Sequence, residues 1–167
     1  MLLIILTATS GQVAVAPLFP LGAAVPDFLL AALVAITYFG GVRAAMVAIP
    51  VGALSLGLQS DREPGVVLLG YLALVPFAAW LAEARVPITG LGRFLATGMV
   101  TGVLSRTTLA LAAVSRGAEP SPGALSLHIL IPGLVLDLAL LAVVYTACRS
   151  VRWEPIELTL QKRGRYR

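Results

Sequence analysis

The charges of this chain are confined to short gaps between long apolar runs, and that confinement limits the possible folds more than any other feature. Hydrophobic residues make up 59% and charged residues 12% of its 167 residues, so little polar surface is left to cover a water-soluble domain. Apolar runs occupy 1–17, 25–41, 42–60, 65–84, 90–114 and 124–148, and about 20 residues suffice for a helix to cross a bilayer. Six such runs predict an all-α integral membrane protein with six transmembrane helices. When the gaps are numbered, Arg43, Arg85, Arg93, Arg149, Arg152, Lys162, Arg163, Arg165 and Arg167 fall on one side of the zigzag. Only Arg62 and Arg116 fall on the other. This is the positive-inside pattern, and it places both ends in the cytoplasm.

The runs divide the chain into a single membrane domain, residues 1–148, and a basic cytoplasmic tail, residues 149–167. A mean hydropathy of +0.95 leaves no room for a further soluble domain. The net charge of +4 does not indicate nucleic acid, because half of the basic residues sit in the tail beside a span, where anionic lipid headgroups attract them. Cys148, the single cysteine, cannot form an internal disulfide, and a juxtamembrane position of this kind suits palmitoylation. The first run ends in Ala14-Val15-Ala16, which resembles a signal-peptidase site. It lacks a basic leading segment, however, and Thr7, Thr9, Ser10 and Gln12 interrupt its apolar stretch, so it reads as an uncleaved span.

Gly40-Gly41 predicts a very tight cytoplasmic turn, and Ser60-Asp61-Arg62-Glu63-Pro64 an outer turn whose proline suits the first position of the next helix. Residues 115–123 have the glycine and proline content of an irregular outer connector. Tyr38, Phe39, Trp80, Tyr145 and Trp153 fall near cytoplasmic span ends, where amphipathic rings favour the interface. Pro50, Pro76 and Pro132 are expected inside the third, fourth and sixth spans, each removing a backbone donor and kinking its helix. No internal repeat is visible.

Two ionisable residues lie well inside spans, Arg106 in the fifth and Asp137 in the sixth. A charge at that depth is costly, so each should face protein and have a partner. An Arg106–Asp137 pair is the preferred expectation, with Asp27 at the outer start of the second span, His128 near the outer start of the sixth, or a partner subunit as competing sources of counter-charge. Gly98, Thr101, Gly102 and Ser105 form a small-residue stripe that Arg106 continues. Such a stripe allows close helix approach, either within the bundle or against another protein.

Little else in the sequence suggests chemistry. His128 has no cysteine, histidine or carboxylate at ligand spacing. Ser105, Ser115 and Ser126 lack a base and acid arrangement, and no glycine-rich phosphate loop follows a strand pattern. Glu83 and Arg85 read as a solvated rim pair. The absence of a credible active site or metal or cofactor motif points away from an enzyme, including a small lipid-modifying one. In the tail, Ile156-Glu157-Leu158-Thr159-Leu160-Gln161 alternates with strand period. It reads either as a headgroup-bound tail or as a short strand that docks on a cytoplasmic partner.

Val25-Pro26-Asp27-Phe28-Leu29-Leu30-Ala31-Ala32-Leu33-Val34, followed by a glycine-containing turn and Arg43, resembles the Pro-Asp-hydrophobic run that opens the second span in the rod-shape-determining protein MreD family. Gly52-Ala53-Leu54-Ser55-Leu56-Gly57, the turn at Pro64-Gly65 and Leu68-Leu69-Gly70-Tyr71 are similar to the next family segment. Members often carry an aspartate near the outer end of the third span; Gly57 stands near that place here, and Asp61 comes later. The resemblance implies a non-enzymatic inner-membrane subunit of the bacterial elongation machinery, without cofactors, that binds MreC. Through that complex it would meet MreB, RodA and a class B penicillin-binding protein. It also implies a bundle similar to the S components of energy-coupling-factor vitamin transporters, and an S component is therefore the alternative function. Arg106, Asp137, His128 and Asp27 would then line a vitamin pocket. The scarcity of polar side chains in the spans favours the scaffold, because a site for a polar vitamin needs several convergent hydrogen-bonding groups.

Overall fold

The computed structural model describes residues 1–21, 24–60, 62–84, 88–117, 129–151 and 153. Among them the chain is helical, with no β-strand. The elements are α1 (Leu2–Ala14), a 3-10 turn at Ala16–Leu18, α2 (Phe28–Ala35) continued by a π-helical turn at Ile36–Gly40, α3 (Val42–Gln59), α4 (Pro64–Tyr71), α5 (Leu74–Glu83), α6 (Gly90–Ser115) and α7 (Ile131–Ser150). Four segments are long and apolar enough to cross a membrane: α3, α4 with α5 as Pro64–Glu83, α6 and α7.

The first two apolar helices, Leu2–Leu18 and Phe28–Gly40, are shorter, so among the described residues four of the six expected spans reach full length. The cause in the second run is local. Asp27 lies in extended backbone and caps the helix, and Phe28 is its first residue. Gly41 ends it at φ 85°, a left-handed conformation that glycine adopts without a Cβ clash. The 13 residues between cover about 20 Å, roughly two thirds of a hydrocarbon core.

This short helix is the centre of the molecule. Every residue from Leu29 to Phe39 is buried, and α2 packs against α1, α3, α6 and α7. Its sequence is apolar all round, as a helix with protein on every side should be. Around it, helices approach through small residues. A side chain at Gly98 would collide with Leu141, one at Gly52 would come within 2.8 Å of Leu29, and one at Gly70 within 2.9 Å of the Ser105 backbone. Lipid is as apolar as leucine, so this contact geometry contributes what hydrophobic exclusion cannot.

The prolines act in three ways. Pro50 stands inside α3. Pro76 is the third residue of α5; with no N–H to offer the Leu72 carbonyl, it coincides with the break between α4 and α5. Pro132 lies in the first turn of α7, where proline is best tolerated in a helix. Pro64 likewise opens α4. Residues 124–128 of the expected sixth span and residues 154–167 of the tail, with the Ile156–Gln161 alternation, lie outside the described residues, as does Arg85, the expected rim partner of Glu83.

A hydrogen-bonded ladder joins α1 to α3. The Thr9 and Ser55 hydroxyls are 2.9 Å apart, Gln59 Nε2 donates to both at 3.1 and 3.0 Å, and Ser10 donates to Gln59 Oε1 at 3.3 Å. Most of the polar residues that interrupt the first run therefore pair inside the bundle. Around the C-terminal end of the buried helix, Phe94 packs edge-on to Tyr38, with ring centroids 5.5 Å apart, and lies 5.3 Å from Tyr145. Phe39 adds contacts to Phe94, Tyr145 and Trp153. Trp80 stands apart, 58% exposed and stacked on Phe77.

Candidate functional site: a charged cluster at the head of the buried helix

An α-helix begins with backbone N–H groups that have no intrahelical partner. In water the solvent satisfies them. The start of α2 lies among other helices, so side chains must do so. Asp27 supplies the first contact: its Oδ1 accepts the Leu30 N–H at 2.9 Å, an N-cap of the ordinary kind. Its Oδ2 accepts the Tyr71 hydroxyl at 2.6 Å, which ties the head of α2 to the end of α4. Tyr71 is 2% exposed.

The backbone just before the cap is held by three further side chains. Gln12 of α1 spans the segment: its Nε2 donates to the Pro26 carbonyl at 3.1 Å and its Oε1 accepts the Phe28 N–H at 2.6 Å. Asp137 of α7 accepts the Asp27 N–H on Oδ1 at 2.8 Å. Arg106 of α6 donates from Nη2 to the Val25 carbonyl at 3.2 Å. Pro26 has no N–H to satisfy. The run Val25-Pro26-Asp27-Phe28 is thus bonded at two carbonyls and two N–H groups by residues from α1, α6 and α7.

Arg106 and Asp137 also pair with each other. Nη2 and Nε donate to Asp137 Oδ2 at 2.7 and 3.2 Å, a two-pronged contact that a guanidinium makes well. Arg106 is 13% exposed and Asp137 1%. Gly133, one turn before Asp137, makes the pairing possible: a Cβ there would overlap the Arg106 guanidinium. Gly102 does the same from α6, where a Cβ would lie 3.1 Å from Leu30 and 3.5 Å from Asp137 Oδ2.

Of the residues singled out from sequence, Arg106, Asp137, Pro26 and Asp27 are brought into one cluster. Asp27, expected as a rival partner for Arg106, instead meets Asp137 through its backbone N–H. His128 lies outside the described residues. Gly98, Thr101, Gly102 and Ser105 are all buried and face Leu141, Leu30 and Gly70, so this stripe is in contact within the bundle. Thr101 is fully buried and its hydroxyl has no hydrogen-bond partner among the described residues. Sequence reasoning missed Gln12, Tyr71 and Gly133. Gln12 carried a signal, since an amide inside an apolar run needs a polar partner as an arginine does.

The chemistry of the cluster is that of a fastener. Each carboxylate oxygen of Asp27 and Asp137 already accepts at least one hydrogen bond. Among the described residues no group of three or more histidine, cysteine, aspartate or glutamate side chains could hold a metal ion. Glu63 and Arg116 pair at 2.8 Å on the exposed surface, where such a bridge has little effect on stability. Comparison with family models, curated proteins and solved structures finds no match to this chain.

Proposed function

We propose that this chain is a non-enzymatic scaffold subunit of the bacterial inner membrane, of the MreD kind, that binds MreC and supports rod shape and lateral peptidoglycan synthesis. One observation carries the reading. The Pro26-Asp27 segment, on which the family resemblance rests, is the segment on which five bonds from α1, α4, α6 and α7 converge. A motif used to set helix positions suits a protein that presents a fixed surface. It does not suit a pocket, because a vitamin site needs polar groups left free for the ligand, and the intramembrane charges here are engaged with backbone and with each other.

The finer architecture belongs to the same proposal. Counting α1 and α2 with the four longer segments gives six spans, with both ends cytoplasmic and a bundle similar to a vitamin-transporter S component. MreC is the direct partner; MreB, RodA and a class B penicillin-binding protein are reached through it. Affinity purification of the full chain from bacterial membranes tests the reading. Recovery of a single-span periplasmic protein in near-equal amount is the expected result. A retained vitamin, or an ATPase module in its place, would overturn it in favour of the S component.

A further inference from the structure

An apolar groove of about 480 Å³ runs between α1, α2 and α7. Thr7, Ala8 and Gly11 of α1 form one wall, Ala32 and Ala35 of α2 the floor, and Val144, Cys148 and Trp153 the cytoplasmic end. We propose that this groove holds one acyl chain of an anionic phospholipid from the cytoplasmic leaflet. The inference rests on the orientation proposed above, with both ends cytoplasmic, and not on the scaffold role.

Dimensions decide between the apolar occupants a membrane offers. Along α1 the groove extends from Leu3 to Val15, about 18 Å at the helical rise. That is close to one leaflet, about 15 Å, and well short of the roughly 30 Å a spanning helix needs. An apolar cavity of about 150 Å³ holds a benzene ring, so this groove accommodates roughly three times that, about the carbon count of one fatty-acyl chain. The rim favours a negative headgroup: the exposed Arg149 directly follows Cys148, which lines the groove near the end of α7.

The two tryptophans make the test intrinsic, because Trp153 lines the groove while Trp80 is exposed elsewhere. The full chain is placed in phosphatidylcholine nanodiscs containing increasing phosphatidylglycerol with a brominated acyl chain, which quenches nearby indoles. In the Trp80→Phe variant, Trp153 quenching should saturate at a mole fraction about tenfold lower than that quenching Trp80 in the Trp153→Phe variant. Ala32→Phe, which fills the floor, and Gly11→Leu, which fills the wall, should each return Trp153 to the Trp80 curve, with thermal melting confirming a folded bundle. The proposal fails if Trp153 and Trp80 quench in parallel in the parent. It also fails if both folded filled variants retain the saturable curve, or if Cys148 crosslinks in membranes to a polypeptide helix in most molecules.

Discussion

The two ends of α2 are held by opposite means. Its N-terminal end is fixed by a guanidinium, two carboxylates, a phenol and an amide, each at a defined distance from a defined atom. Its C-terminal end is surrounded by Tyr38, Phe39, Phe94, Tyr145 and Trp153, whose rings meet over 5.3 to 6.1 Å, with the Tyr38 hydroxyl 2.9 Å from that of Thr97. The difference follows from what each end must satisfy. The N-terminal end begins in non-helical backbone among other helices, and its free N–H and C=O groups need side-chain partners. The other end turns sharply at Gly41, whose N–H bonds the Thr37 carbonyl, so backbone closes it and rings fill the space around it. Polar bonds set register at the first and ring packing fills space at the second.

The largest expected effect tests the polar end. Arg106→Leu leaves Asp137 buried without its cation and should destabilise the fold by about 3–5 kcal/mol, read as unfolding in mixed detergent micelles. Adding Asp137→Leu should recover only part of that loss, because the Asp27 N–H and Val25 carbonyl then lack partners. The charge swap, Arg106→Asp with Asp137→Arg, should fail to rescue, since arginine has no acceptor for the Asp27 N–H. A full rescue would reduce the cluster to a simple ion pair and erase the contrast between the ends.

Next comes Gly133→Ala, whose new methyl group meets the Arg106 guanidinium. A loss of about 1–3 kcal/mol is expected, with a melting temperature in detergent well below that of Gly65→Ala, which meets nothing within 4 Å. Asp27→Ala should cost about 1 kcal/mol through the lost cap alone, and more with the Tyr71 bond. Asp27→Asn keeps an acceptor for Leu30 and should fall between Ala and the parent. An asparagine variant as damaged as alanine would show that charge, not capping, is what position 27 supplies.

At the aromatic end the effects should be smaller. Phe94→Leu retains an apolar group and should cost less than Arg106→Leu, while Tyr38→Phe removes one hydroxyl contact and should cost about 0.5–1.5 kcal/mol. If the aromatic substitutions proved the more severe in the same unfolding assay, register would be set at the aromatic end. Glu63→Ala, in the exposed pair with Arg116, should leave unfolding indistinguishable from the parent.

Part of this contrast was legible in the residues. The Arg106–Asp137 pair follows from the cost of a lone charge among apolar residues, whereas the rings expected to favour an interface include Tyr38 and Phe39, which are buried in the core. The shortness of α2 was not visible, because an apolar run predicts how long a helix could be, whereas the cap at Asp27 decides where it starts. Gln12 shows a related gap. Its amide was read only as an interruption of a leader-like run, and its partners are backbone atoms 14 and 16 residues away. Backbone acceptors carry no residue-type signature. Tyr71 was hidden for a similar reason: a phenol in an apolar run suits an interface or a core equally, and only the position of Asp27 separates the two.

The enclosure of α2 has a consequence for bilayer thickness. A helix that meets lipid must tilt or deform when the hydrocarbon layer thins, and α3, α6 and α7 all expose large apolar side chains. The stretch from Leu29 to Phe39 is packed against protein except along the groove floor at Ala32 and Ala35, so its length is largely uncoupled from the membrane. The two-pronged Arg106–Asp137 contact then links the lipid-matched helices to this unmatched one. Tilt imposed on α6 and α7 by a thinner bilayer must be shared between them, or the Asp27 N–H loses its acceptor.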